Sequence, residues 1–364
     1  MFGIASGASA ASIYTVADVG VDVTAESAAK ARQSALAEAH QRAFDRLIGR
    51  IVPAGAQEQV PQVSYDRIAT LTRDFEVSNE KTSSVRYLAD LTIRFQRQAV
   101  RGFLRKNAVP FAETRSKPVV VLPLFGAAGD AVLWNDPNPW RKAWGKRDED
   151  GGLVPLVVPL GDLQDIRAVS AQDALNQRQQ RLDKIAARYD AGDVLVTQAI
   201  PAGDAQSGTA SAQIVSRRVD DGGRSRTWVN TVRQQAEESR GEMYARAAEM
   251  VAAEVERTWK LTNVVRFESE AMLTARVPLE SLDRWVSVRE RLNEVPVIGD
   301  QQLRRLSRGE AIVELVYYGD LAQLRRALSQ TDLVLEEAGT GRDGDGGSDG
   351  GSGSEGPPWI IRSA

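Results

Sequence analysis

A single histidine and no cysteine leave this chain little with which to build a catalytic centre. His40 falls on a helical wheel between Leu36, Ala43 and Phe44, inside an apolar face. Two readings are open for it. One is a neutral ring satisfied by a backbone group; the other is a pH sensor tuned by Asp45 or Glu38. Catalysis fits neither, because a general base needs a nucleophile or a cleft beside it. Without cysteine, thiol chemistry and Cys-based metal or iron–sulfur sites are excluded, and one imidazole cannot make a His-rich zinc site. Carboxylates alone could hold Mg²⁺ or Ca²⁺, but no EF-hand spacing occurs. There is no Walker loop, and nothing calls for a cofactor.

Two clusters could bind rather than react. Arg42, Arg46 and Arg50 recur at i, i+4 and i+8 and form a stripe beside the same apolar face. Guanidinium groups so placed could grip a lipid phosphate or an acidic partner, or lie as a solvated flank whose stems cover apolar surface. The segment AVLWNDPNPWRKAW holds Trp134, Trp140 and Trp144, the last two one helical turn apart. They read either as core or as the aromatic anchors of a peptide or ligand groove. The recurring pairs Gly129-Asp130, Gly161-Asp162, Gly192-Asp193 and Gly319-Asp320 are punctuation, with glycine freeing the backbone and aspartate capping the next turn or helix.

The element that carries His40 and the arginines is a helix over 24–52, fed by a strand over 13–23. Leu36, Ala39, Ala43, Leu47 and Ile51 share its face, Thr24 suits its N-cap and Pro53 closes it. Dense alanine in its first half lets a sheet or partner helix approach closely. A second helical pattern carries Ile68, Leu71 and Phe75. A strand follows with Val85, Tyr87, Ala89, Leu91, Ile93 and Phe95 on one face, and a short helix over 98–107 completes an α+β module spanning 13–111. A central α/β module over 117–265 opens with KPVVVLPLF, a run that suits a strand covered on both faces. Asn138-Pro139 opens a short helix. LVPLVVPL, with two prolines, reads as an edge strand or a broken one. A helix over 171–189, strands near 193–200, 210–219 and 225–233, and a long helix over 238–261 complete that layer. Asp220 to Gly223 is a hairpin turn. From 268 to 364 the order is β-α-β-β-α-β, ferredoxin-like. The Gly/Asp/Ser-rich tract 338–358 reads as a disordered insertion, after which Trp359 to Arg362 is expected to dock back, either completing the last strand or pairing with it.

Composition places limits on partners. A length of 364 residues implies two or three domains, and a net charge of −3 gives no electrostatic case for nucleic acid or for a membrane surface. No apolar run of about 20 residues is present to cross a membrane. The opening MFGIASGASAAS is small and apolar, with Ala8-Ser9-Ala10 before Ala11 in the pattern of a signal-peptidase site. It reads as the tail of an export signal, or else as the flexible start of a cytoplasmic protein.

With ADVGVDVTAESAAKARQSALAEAHQRAFDRLIGRIV, KPVVVLPLF, and the closing WVSVRERLNEVPVI and VYYGDLAQLRRALSQTDLVLEE laid together, nearly the whole chain resembles one family. It is the bacterial domain-of-unknown-function family numbered 2066, whose members are exported or envelope-associated. The resemblance implies an envelope protein and supplies no catalytic residues. The opening strand and helix are also similar to the N-terminal part of a flagellar assembly protein. KPVVVLPLF onward is similar to the N-terminal α/β domain of the periplasmic TolB protein. Fold likeness does not fix function. The expectation is a non-enzymatic, periplasmic or envelope scaffold that binds another envelope protein. The alternative is a small-ligand or peptide binder, or a weak hydrolase, using a Trp134–Trp144 cleft with Asp130 or Asp136.

Overall fold

The computed structural model describes residues 13–147, 151–202, 210–220, 222–267, 269–338 and 358–363. The expected export signal lies outside these residues, as does the expected disordered tract 338–358 apart from its two end residues. The architecture is mixed α and β, built among the described residues on three sheets.

The chain begins with β1 (Thr15–Thr24), α1 (Ala28–Ile51), α2 (Tyr65–Leu71), β2 (Thr72–Thr82) and β3 (Arg86–Phe95). The strands form an antiparallel sheet in the order β1-β3-β2. Alternation along β3 buries Tyr87, Ala89, Leu91, Ile93 and Phe95 on one face. Against this layer α1 sets Ala31, Ala35, Ala39, Ala43, Leu47 and Ile51. Two expectations change here. Thr24 does not cap α1, because it is still in β1, paired with Arg86; the Ser27 hydroxyl takes the role and accepts from the Lys30 amide at 3.3 Å. Phe75 is not on a helix. Ser64 caps α2, which ends at Leu71, and Phe75 lies on β2 opposite Ile93. Solvent on both sides of β2 erases the alternation that would have marked it as a strand.

α3 (Arg97–Lys106) belongs with the last sheet. The central sheet follows: β4 (Val119–Phe125), α4 (Pro139–Gly145), β5 (Leu156–Val157), α5 (Leu163–Ala168), α6 (Ala171–Leu175), α7 (Gln179–Arg188), β6 (Asp193–Ala202), β7 (Ser211–Asp220), β8 (Ser225–Arg233) and α8 (Arg240–Thr262). Its order is β5-β4-β6-β7-β8, with β4 parallel to both neighbours. One face of β4 and β6 packs Val119, Val121 and Leu195 on Trp140, Trp144 and Val251; the other packs Val120, Leu122 and Val196 on Ala168, Leu182 and Ile185. Coverage of both faces is why KPVVVLPLF is continuously apolar. β5 is a two-residue edge strand between Pro155 and Pro159. The helix expected over 171–189 is broken at Gln177, whose φ of 48° separates α6 from α7.

The last sheet comprises β9 (Glu270–Pro278), α9 (Leu282–Glu294), β10 (Ile298–Leu306), β11 (Glu310–Tyr318), α10 (Leu321–Ser329), β12 (Leu333–Glu337) and β13 (Trp359–Ser363). Its order is β10-β11-β9-β13-β12. Trp285, Val288 and Leu292 of α9 and Leu324 and Leu328 of α10 close its core. Two compact units result: Met1–Ile51, Ser64–Gln96 and Thr114–Thr262; and Val52–Val63, Arg97–Glu113 and Asn263–Ala364. The helix that sequence order attached to the first module thus packs in the second unit, held by Arg101 and Arg105 on carbonyls of Asn293, Glu294 and Gly299. Among the described residues no helix is long and apolar enough to cross a membrane.

Candidate functional site: the rim of the central sheet

Parallel strands whose connections leave to opposite faces open a crevice at their carboxyl ends. β4 leads to α4 on one face and β5 leads to α5 on the other. Beside them lies a surface hollow of about 520 Å³ lined by Asp136, Asn138, Arg141, Lys142, Arg147 and the segment 156–160. Asn138 fixes its floor: the buried amide donates to the Pro123 carbonyl at 2.9 Å while Oδ1 accepts from the Arg141 amide at 2.8 Å, capping α4. α4 therefore presents Arg141 and Lys142 along the hollow, and Arg147 just beyond its end adds a third cation. Lys142 lies 3.9 Å from Asp136, and Arg147 3.2 Å from Glu249.

The rim after β5 is immobilised from beneath. Asp165 is fully buried and accepts from the Gly161 amide at 2.9 Å and the Tyr189 hydroxyl at 2.8 Å. Arg188 Nε sits 2.8 Å from its other oxygen, an ion pair without hydrogen-bond alignment. Burial together with the bond to Asp165 raises the Tyr189 phenol above its usual range, so it stays a donor. Arg141 reaches the Leu160 carbonyl and lies over the Trp134 ring, whose indole donates to the Val169 carbonyl at 2.8 Å. Gly161 has φ +77°, and a Cβ there would fall 2.5 Å from Arg141 Nη2, so a side chain would strain the backbone and displace that guanidinium. On this fixed frame three aliphatic side chains face water: Leu160 at 80% exposure, Leu163 at 71% and Ile166 at 46%.

The residues singled out by sequence are distributed differently. Trp140 and Trp144 are 0% and 2% exposed and meet edge to face at 5.7 Å inside the core. Both rings are spent mostly on core packing; of the expected Trp134–Trp144 cleft, Asp136 and Trp144 do line the hollow, while Trp134 buttresses the rim. Asp130 and Asp136 are both exposed, with no imidazole near them. The arginine stripe is engaged by the chain itself. Arg42 donates to the Gly20 carbonyl at 2.7 Å and Arg50 to those of Ile13 and Thr15 at 2.6 and 2.8 Å, with Arg46 near Ala17 and Asp18. Since β1 is an edge strand, these side chains cover its outer backbone and discourage strand addition there. His40 is enclosed, with Nδ1–H donating to the Leu36 carbonyl at 2.8 Å and with Tyr65 and Phe75 each 5.3 Å away edge-on. Glu38 pairs with Arg42 and Asp45 accepts from Gln41, so neither carboxylate serves it as a sensor's partner. Sequence reasoning does not single out the exposed triplet. Its signal is present as PLGDLQDIRA, three large aliphatics at a spacing of three within a polar stretch.

A second polar group holds the approach to β5. Glu256 of α8 accepts from the Val154 amide at 2.8 Å, and Lys260 donates to the Gly49 carbonyl near the end of α1 at 2.5 Å. Burial pushes the Glu256 carboxyl above its ordinary value of 4.5 and the Lys260 ammonium below its own. An acid raised on folding costs stability once the unfolded chain ionises, that is, as pH rises above the ordinary value. Glu256→Gln keeps the acceptor and removes that cost. The variant is expected to melt higher than the parent at pH 7, with the difference vanishing below about pH 4. Thermal melts at the two pH values check this, and an equal destabilisation at both would overturn it.

Comparison with known proteins adds little. No family model matches the chain, and no curated protein matches it. Among solved structures, lipoprotein GNA1162 from Neisseria meningitidis aligns over 97% of its own length with 38% of this chain, at 15% identity and a TM-score of 0.26. A likeness of that size carries neither fold nor function across.

Proposed function

We propose that this chain is an exported, envelope-located scaffold that works without catalysis, docking a partner protein on the rim of its central sheet. The observation that carries the reading is the exposed triplet Leu160, Leu163 and Ile166 on a rim held by Asp165, Tyr189 and Arg141. A rim whose backbone is already held by side-chain bonds has less order to lose on binding, which favours association. The basic side of α4 next to them selects a partner segment with aliphatic anchors flanked by acidic side chains. Export is supported by MFGIASGASAAS and by the resemblance to the envelope family.

The test uses the full-length protein in its native cells, with a photo-crosslinking residue at Leu163. One discrete adduct with an envelope protein is expected, lost in the Leu160→Asp and Ile166→Asp variants and absent when the probe is moved to exposed Met272. Adducts indifferent to those substitutions would sink the docking site. Fractionation with N-terminal sequencing tests location separately: a mature chain beginning near Ala11 is expected, and a cytoplasmic chain retaining Met1 overturns export while leaving the docking result to stand.

A further inference from the structure

In a β-α-β-β-α-β sheet the last strand ordinarily lies beside the first. Here β12 does not touch β9. β13 stands between them, parallel to β9 and antiparallel to β12, and β12 is displaced to the edge. Its junction with β9 is brief, two residue pairs, Trp359 with Ala275 and Ile360 with Arg276. With β12 it makes five pairs, from Leu333–Ser363 to Glu337–Trp359. The hairpin closes where Ala338 donates to the Pro358 carbonyl at 2.8 Å. Such a closure needs only about two to five intervening residues, yet residues 339–357 intervene, without one aliphatic or aromatic side chain.

The strand is thus separable from the fold in two ways. Its connection is far longer than the geometry requires. The remaining strands also form a complete β-α-β-β-α-β set, with β12 already antiparallel to β9. What the gap accepts is legible from its present occupant. Trp359 lies 5.2 Å beneath the Arg325 guanidinium, Ile361 is wholly buried in the core, Ile360 is buried on the opposite face, and Arg362 faces Glu336 at 3.7 Å.

We propose that the gap between β9 and β12 is a strand-acceptor site for an extended aromatic-aliphatic-aliphatic-basic peptide, filled in cis by Trp359–Ser363 and open to the same segment supplied in trans. Main-chain bonds on both sides give affinity, and the alternating pockets give selectivity. Tethering in cis presents the strand at an effective concentration of order millimolar, so an intact chain resists competition.

The experiment uses the full chain with a protease site placed within 339–357. After cleavage, a fluorescein-labelled peptide spanning 357–364 is added at about 10 μM. The nicked protein is expected to take up about a hundredfold more label than the uncut one, and the same peptide carrying Ile361→Asp is expected not to enter. An uncut chain carrying Ile361→Asp should also accept the parent peptide; if that variant fails to fold, the nicked protein decides. No exchange over several days would make β13 a permanent core strand and overturn the proposal. So would equal labelling of cut and uncut protein.

Discussion

Arg101→Met is expected to destabilise the second unit by about 3–5 kcal/mol. Arg101 and Glu113 are both buried, and their side chains meet as a fork, Nε to Oε2 at 3.1 Å and Nη2 to Oε1. The same guanidinium donates to the carbonyls of Asn293 at 2.7 Å and Glu294 at 2.9 Å, at the end of α9. Helix C-termini leave carbonyls without intrahelical partners and carry partial negative charge, so a buried cation there satisfies both needs. Methionine matches the stem but leaves Glu113 without this cation and the carbonyls without this donor. Lysine keeps the charge but not the fork, and should recover only part of the loss. Replacing both partners, Arg101→Met with Glu113→Met, is expected to be milder than Arg101→Met alone, because the buried carboxylate that loses this cation is removed with it. Denaturant unfolding measures the three variants, and hydrogen exchange at α9 amides localises the effect. If single and double variants lose the same stability, the two side chains are not coupled.

Trp140→Ala is expected to cost about 3–5 kcal/mol, and to do so by opening the core of the central sheet rather than by removing a binding surface. The ring packs against Trp144 and Tyr244, with centroids at 5.7 and 6.2 Å, and its indole donates to the Thr197 carbonyl at 3.1 Å. Trp140→Phe keeps most of the apolar contact and leaves that carbonyl without its donor, a loss of about 1–3 kcal/mol. Leu163→Asp provides the contrast: its side chain is in water, so stability should hold while docking is lost. Thermal and denaturant unfolding separate the two cases. A Trp140→Ala protein of parental stability would make the ring a candidate binding residue again.

Several elements were legible because local chemistry and tertiary environment agree on them. Asn138-Pro139 caps α4 as its residue types demand, and the two prolines of LVPLVVPL confine β5 to two residues at an edge. The ferredoxin-like order of the last unit follows from periodicity alone, and the return of Trp359 to Arg362 to the sheet follows from the apolar character of Trp359, Ile360 and Ile361. Other elements were not legible. β2 is polar on both faces because solvent covers both, so its strand nature is visible only in the pairing with β3. The attachment of α3 is invisible for a different reason: its partners are backbone carbonyls nearly two hundred positions away, and a carbonyl carries no residue signature.

The same distinction separates the candidate sites. Sequence by itself excluded thiol chemistry and His-rich zinc sites, because those need cysteines or several histidines that the chain lacks. It also determined the class of the elements that are buried on one face or two, such as β3 and β4, since that burial is written in the spacing of apolar side chains. Tertiary structure decided what the marked residues do. A wheel places Arg42, Arg46 and Arg50 in a row, but only the edge strand β1 beside them turns that row into carbonyl donors. Spacing puts Trp140 and Trp144 one turn apart, but only α8 and the sheet make that turn a core rather than a groove. Exposure of Leu160, Leu163 and Ile166 and insertion of β13 between β9 and β12 depend on which segments meet across the fold, and periodicity along one segment carries no record of its neighbours.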